Sequence, residues 1–351
     1  MSKPKLLVVP NDPLEAYDIK GYSRKERNEY FNPNSEFDVS ILSLPFSKNK
    51  GFREFAGFPV YNIGENLEGL DKTLREIKPD LVRGYGNGTK TSNYIGKIQG
   101  IPSFTSVHDM FPKDEVKNAD RVFAVSNAVK NKCIQKGVSP EKIRILEDRV
   151  DLDIFKDYRG TKDVQEINSK YPSKNKIVSS GRLVWEKNLE NLVEASNMLK
   201  EDLGDLTHLH VGNLGDSKER IFSKLKKQKS NHIHFLNNVN QETLAKYFSW
   251  GDVFSMASVS EGFGLVYTEA LACNTPVITS NIAPMNEYLF HGYNGLLADP
   301  RSPEDIAEKT KTALTDKDNY RNMKNNARES VKKFDKRVLS KKEAKLYKEV
   351  L

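Results

Sequence analysis

Short runs rich in Val, Ile, Leu and Phe recur along the chain, separated by longer stretches whose apolar residues return every three or four positions. The runs read as strands at 5–10, 37–44, 80–84, 103–108, 121–126 and 142–146, with helical spacing at 67–77, 89–99 and 127–136. The pattern restarts in the second half. Strands are expected at 176–181, 206–211, 232–236, 253–257, 276–280 and 295–298, and helices at 188–200, 217–229, 241–248, 266–273 and 303–314. Strands alternating with helices of this length predict parallel sheets covered on both faces, an α/β fold of two doubly wound, Rossmann-like domains. The polar stretch 151–174 reads as the boundary. Ligands of such sheets bind at the carboxyl ends of the strands, and with two domains the expected site is the cleft between them. A last helical pattern, 334–351, carries a thin apolar stripe of Phe334, Val338, Leu346 and Val350, which suits a helix laid on a surface.

Composition narrows the class. A length of 351 residues fits about two domains of ~100–200 residues each. Two cysteines, Cys133 and Cys273, exclude a disulfide scaffold and a Cys-rich metal site, and both fall in helical patterns as packing residues. No apolar stretch approaches the ~18–20 residues that span a bilayer, and the first residues lack a signal-peptide core, so a cytoplasmic protein is expected. The net charge of +7 is uneven. Residues 1–150 carry 24 basic and 20 acidic side chains, 151–331 carry 23 and 25, and 332–351 carry 8 and 3. A solvated Lys-rich helix accounts for the tail as readily as an anionic partner does.

Three segments carry chemistry, each just after a strand of the second half and so on one edge of one sheet. Residues 258–273 pass through Glu261, Gly262, Phe263, Gly264 and Leu265 into a helix bearing Glu269. A glycine-flanked helix start suits a phosphate, and two carboxylates eight residues apart suit sugar or ribose hydroxyls. A capped helix with two solvated glutamates fits the spacing equally. Upstream, Gly181, Arg182 and Lys187 follow a strand, and the two cations suit a diphosphate or are surface charges. Val211 to Gly215 adds a third loop with two glycines, a weak signal alone.

Together these residues resemble the retaining GT-B glycosyltransferases of family 4, the glycogen-synthase and bacterial lipid- and polysaccharide-glycosyltransferase type. Glu261 and Glu269 look like the family's Glu-x7-Glu pair, and Gly181-Arg182-Leu183 with Glu186-Lys187 looks like its phosphate clamp. Thr275 to Ile278, Asn294 to Leu297, Val107-His108-Asp109, Ala124 to Ser126 and Val150 to Phe155 resemble further family segments. The resemblance implies a GT-B fold: an acceptor-side domain of 1–155 plus 335–351, a donor domain of 156–334, and a final helix crossing back to the first. Its amino-terminal lobe plus tail would carry +9 and its donor lobe −2.

The resemblance also implies roles. Arg182, Lys187 and Gly181 would bind the diphosphate, Glu261 the donor sugar, and Gly262, Phe263, Gly264 and Leu265 would lie along sugar and phosphate. Glu269 would take the ribose hydroxyls and Val239 the base. His108 would reach the donor sugar, or be a buried histidine satisfied by backbone. The implied reaction retains anomeric configuration and needs no divalent metal or other cofactor. Its donor is a nucleoside-diphosphate sugar, UDP rather than GDP, and its acceptor a glycan, a lipid-linked glycan or another cell-surface precursor. Through its basic lobe and tail the enzyme would sit on the inner face of an anionic membrane, with no nucleic-acid partner.

Four departures stand out. Pro10-Asn11-Asp12-Pro13 replaces a Gly-Gly loop, Asp148-Arg149 replaces a usual Asn-Gly, Asn274 replaces a common Gly, and residues 83–88, in place of a His-containing motif, read as a flexible polar loop. His208 with His210, and His232 with His234, alternate along strands but lack carboxylate or Cys partners for a metal. A glycoside hydrolase would leave Arg182 and Lys187 idle, a basic nucleic-acid binder would leave Glu261 idle, and a GT-B sugar-nucleotide epimerase remains the nearest alternative.

Overall fold

The computed structural model describes residues 2–19, 23–43, 53–63, 69–212, 225, 227 and 230–351. The chain divides into two compact units, Met1–Glu147 with Arg337–Leu351, and Asp148–Lys336.

The sheet of the first unit contains β1 (Lys5–Val9), β2 (Asp38–Ser43), β3 (Glu54–Phe55), β4 (Phe58–Asn62), β5 (Leu81–Tyr85), β6 (Ser103–Val107), β7 (Arg121–Ala124) and β8 (Ile143–Ile145). Their spatial order is β3-β4-β2-β1-β5-β6-β7-β8, parallel throughout except for the β3–β4 hairpin. Alternate residues of β1 show why the strands read as apolar runs. Leu6 and Val8 enter a core with Ile41, Phe104 and Phe123, while Leu7 and Val9 enter another with Leu70, Leu74 and Ile77. A parallel sheet buries both faces, so both sets must be apolar. Its helices are α1 (Leu14–Ile19), α2 (Arg24–Phe31), α3 (Leu70–Ile77), α4 (Thr89–Gln99) and α5 (Asn127–Gln135).

Residues 83–88 are not the flexible loop expected. Arg83 to Tyr85 complete β5, and Arg83 is 2% exposed. The following turn is pinned, because the Asn87 amide donates to Asn11 Oδ1 at 2.9 Å. A side chain on Gly88 would meet the Val9 carbonyl at 2.3 Å.

The second unit holds α6 (Lys162–Lys170), β9 (Asn175–Ser180), α7 (Leu189–Leu203), β10 (Leu206–Val211), β11 (Ile233–Leu236), α8 (Gln241–Trp250), β12 (Val253–Ser255), α9 (Leu265–Ala272), β13 (Val277–Ser280), β14 (Gly295–Ala298), α10 (Pro303–Thr315) and α11 (Lys317–Val331). Its parallel strands run β11-β10-β9-β12-β13-β14. That is the 3-2-1-4-5-6 order of a Rossmann-type sheet, reversing direction between β9 and β12. The stretch 151–174 is not a bare linker. It contains α6, whose Val164 packs with Leu209 and Trp250, and Arg159 donates to Thr275 Oγ1 and to the Cys273 carbonyl. Asn274 has φ +56°, a left-handed position that Asn tolerates better than most residues. The helix expected at 217–229 lies outside the described residues apart from Leu225 and Lys227, as do Asn213 to Gly215 of the third loop.

The final helix, α12 (Lys336–Lys348), belongs to the first unit and is no surface element. Its fully buried residues are Leu339, Glu343, Ala344 and Tyr347; of the expected stripe, Leu346 and Val350 pack partly buried against the same core, whereas Val338 is 50% exposed. Tyr347 packs edge-on against Phe104 and Phe37, with ring centroids 4.7 and 5.5 Å away. Phe334 packs instead within the second unit, edge-on to Phe263 and Tyr288.

Candidate functional site

The reversal of strand order fixes where the loops after β9 and β12 begin, and those loops carry the charged residues singled out in the sequence. Leaving β9, Gly181 donates its amide to Val211 O at 3.1 Å, and the chain turns through Arg182 to a short helical turn, Trp185–Lys187. Asn188, at φ +53°, ends that turn and donates its side chain to the carbonyls of Ala257 and Pro300 at 2.9 and 2.6 Å. The Val259 amide donates to Glu186 O at 2.8 Å, so the two loops are laced together by backbone as well as side chains.

Between them Lys187 Nζ meets Glu261 Oε1 at 2.5 Å, with the two side chains only 15% and 11% exposed. Arg182 stands beside this pair in the chain, exposed and without an ion-pair partner among the described residues. The reading of Lys187 as a stray surface charge therefore fails, whereas Arg182, being exposed, fits the surface-charge reading as well as the clamp.

The Gly262–Gly264 segment is shaped by its surroundings. Gly264 has φ +87°, and a Cβ there would lie 2.5 Å from the Tyr267 ring. Only glycine satisfies both constraints. Tyr288 donates its hydroxyl to Phe263 O at 2.7 Å, and Tyr267 donates its own to Ser258 Oγ at 2.9 Å. The Phe263 side chain is buried against Tyr288, so this residue offers only its backbone to a ligand. Helix α9 then starts at Leu265 with no side chain capping its first amides, which leaves the positive end of its dipole available to an anion. These two tyrosines and Asn188 went unnoticed in the sequence, since nothing local marks a buried tyrosine as the brace of a distant loop.

Glu269, in α9, is 6% exposed and has no side-chain partner among the described residues. Burial pushes its carboxyl up to about 8, because the charged form loses its water without gaining a donor. Neither glutamate is thus the solvated side chain of an ordinary capped helix. Val239 lies in the loop after β11, 37% exposed. His108 follows β6 in the first unit and is exposed, which removes the alternative of a buried histidine. Cys133 and Cys273 are buried free thiols, and burial pushes Cys133 up to about 11, away from any thiolate role. No group of three His, Cys, Asp or Glu side chains suited to a metal occurs among the described residues. No helix among them is long and apolar enough to cross a membrane.

Residues 161–330, nearly the whole second unit, match the family described as glycosyl transferases group 1. Residues 161–330 form a group 1 glycosyltransferase domain. An uncharacterized glycosyltransferase of Methanocaldococcus jannaschii is 26% identical over 331 residues, which is 91% of this chain and 85% of the relative. The N,N'-diacetylbacillosaminyl-diphospho-undecaprenol alpha-1,3-N-acetylgalactosaminyltransferase of Campylobacter jejuni is 25% identical over 175 residues, 50% of this chain and 45% of its own. HepE of Anabaena, solved in complex with UDP, superimposes with a TM-score of 0.82 at 18% identity, covering 98% of this chain and 100% of that one. This likeness shows the GT-B fold. The glycosyltransferase accordingly presents its laced loops on the sheet of its group 1 domain.

Proposed function

We propose that the enzyme transfers a sugar, with retention of anomeric configuration, from a UDP-sugar to a glycan or lipid-linked acceptor. The observation that carries this is the partly buried Lys187–Glu261 pair, flanked by exposed Arg182, at the point where the strand order of the sheet reverses. Lys187 and Glu261 satisfy each other. With donor bound, Lys187 and Arg182 hold the diphosphate, while Glu261 accepts hydrogen bonds from sugar hydroxyls.

As the bond from the anomeric carbon to the β-phosphate oxygen breaks, negative charge grows on that oxygen. Cations already in place stabilise it there without reorganising. The acceptor oxygen bonds to the anomeric carbon from the face the diphosphate leaves, and its proton passes to the departing phosphate. The products are the glycoside and UDP. Glu269 takes the ribose hydroxyls and Val239 the base, while the backbone from Gly262 to Leu265 lies along sugar and phosphate. His108 is proposed to touch the donor sugar. Because Arg182 and Lys187 supply the positive charge, transfer proceeds without a divalent metal.

UDP and a lipid-diphosphate acceptor are favoured by the HepE complex and the Campylobacter relative. Attachment to an anionic membrane through the first unit completes the reading. It is tested by sedimentation with vesicles, where binding indifferent to anionic lipid would contradict it.

The decisive screen is thermal stabilisation by UDP-, GDP- and ADP-sugars. The expectation is a rise in Tm with UDP-sugars alone, lost in Arg182→Ala and Lys187→Ala. No response to any of them would end the reading.

A further inference from the structure

Beneath the loop that bears Arg182 and Lys187, three histidines and two serines form one buried chain of hydrogen bonds. His232 Nε2 stands 3.0 Å from Ser196 O and 3.1 Å from Ser196 Oγ. Ser196 Oγ is 3.2 Å from His208 Nδ1, and His208 Nε2 is 2.8 Å from Ser179 Oγ. Ser179 Oγ is 2.8 Å from His210 Nδ1, and His210 Nε2 reaches the Gly181 carbonyl at 3.2 Å. None of these five side chains is more than 6% exposed.

The direction of every bond follows from the ends. A carbonyl only accepts, so Gly181 O makes His210 Nε2 the donor. Burial keeps the His210 ring neutral, so its Nδ1 lacks a proton and accepts from the single hydroxyl hydrogen of Ser179. Ser179 Oγ in turn accepts from His208 Nε2, and His208 Nδ1 accepts from Ser196. At the far end the Ser196 carbonyl requires His232 Nε2 to donate, which is the same tautomer that the rest of the chain demands. Both ends agree, and all three imidazoles are neutral with the proton on Nε2. Burial favours that state, holding His208 well below its usual range and His210 down to about 4.

Gly181 is where this chain meets the site. A Cβ on Gly212 would lie 2.0 Å from Gly181 O, so the backbone just after β10 closes on the carbonyl while His210 bonds it from the core. The Lys187 stem passes close to Gly181, where an added Cβ would lie 3.5 Å from Lys187 Cγ and Cδ and 3.2 Å from Met256 Cε. A carbonyl turned inward also keeps its partial negative charge from the phosphate.

We propose that the His232–Ser196–His208–Ser179–His210 chain is a positioning device for the donor clamp, fixing Gly181 and through it the Lys187 ammonium. Bonds aligned in one direction reinforce one another, and filling this space with apolar residues would leave the Gly181 carbonyl unpaired. The role rests on the reading of Lys187 as a diphosphate ligand.

Nitrogen NMR of histidine-labelled, ligand-free enzyme reads the tautomers, and hydrogen exchange reads the order of amides 182–188. The expectation is three neutral Nε2–H imidazoles. In Ser179→Ala and His210→Ala the amides should exchange roughly 3- to 10-fold faster and UDP affinity should fall by a similar factor, the scale of one hydrogen bond. His210→Gln, whose amide nitrogen can take the place of Nε2, should recover most of both. An Nδ1–H tautomer at His210, unchanged exchange in the two alanine variants, or failure of Gln to outperform Ala would overturn the proposal. The tautomer and exchange readings need no nucleotide, so wild-type enzyme that binds none would defeat the clamp reading separately.

Discussion

Burial lifts the Glu269 carboxyl from an ordinary 4.5 to about 8. Between those values the folded enzyme keeps a proton that the unfolded chain has released. Stability from this group therefore falls as pH rises through that window, by roughly 1.4 kcal/mol per unit, and levels off above it. Urea titrations at pH 5, 6.5 and 8 should show the slope, and Glu269→Gln should flatten it. Ribose hydroxyls donating to the carboxylate would favour its charged form. UDP should then bind more tightly at pH 8.5 than at pH 6.5, releasing a proton measurable by calorimetry in buffers of different ionisation enthalpy. Proton uptake would contradict the ribose role. Glu261, Glu269, Arg182 and Lys187 were legible because loop, charge and helix fall within short runs of sequence. The braces were not. Tyr288 reaches Phe263 from 25 positions away and His210 reaches Gly181 from 29, separations at which periodicity carries no information.

At the level of elements, α12 shows how a helix can be foreseen and its buried face misread. Apolar residues alone define the expected stripe, but the buried side includes Glu343, whose carboxylate accepts from Tyr347 Oη at 2.6 Å and lies 3.9 Å from Arg83. Arg83 sits in mid-strand over the rings of Tyr85 and Phe123, at 4.6 and 4.8 Å, and donates to Ser106 Oγ. Removing one partner leaves the other charge buried. Glu343→Ala should cost about 3–5 kcal/mol in chemical denaturation, while Arg83→Met with Glu343→Leu should cost much less. Equal losses would mean that the pair does not hold α12. The short β3–β4 hairpin and α11 escaped the pattern for a related reason. The hairpin begins with a two-residue strand, and α11 buries only Met323, Ala327 and Val331. In contrast, strands buried on both faces declared themselves, since parallel sheets demand apolar runs.

For the whole molecule, the boundary between units relocates the charge. The first unit holds 28 basic and 21 acidic residues and the second 27 of each, so the entire +7 lies on the first and the second unit is neutral rather than acidic. Part of the tail's charge is already engaged, because Lys342 pairs with Glu147 at 2.7 Å and Lys348 pairs with Glu36. The proposed chemistry draws all its positive charge from Arg182 and Lys187, so dialysis against EDTA should leave the transfer rate within about twofold. A large loss restored by Mg²⁺ or Mn²⁺ would remove those two residues as sole charge stabilisers.

The central claim is a division of labour: Lys187 reads the diphosphate and Glu261 reads the sugar. Calorimetric titration of UDP and of the stabilising UDP-sugar into wild-type, Lys187→Ala and Glu261→Ala enzyme tests it directly. Lys187→Ala should weaken both ligands by roughly 10- to 150-fold, the scale of a charged hydrogen bond. Glu261→Ala should weaken the UDP-sugar while leaving UDP as tight as before or tighter, because Lys187 is no longer held by its partner. Equal weakening of both ligands by Glu261→Ala, or no effect of Lys187→Ala on either, would contradict the account.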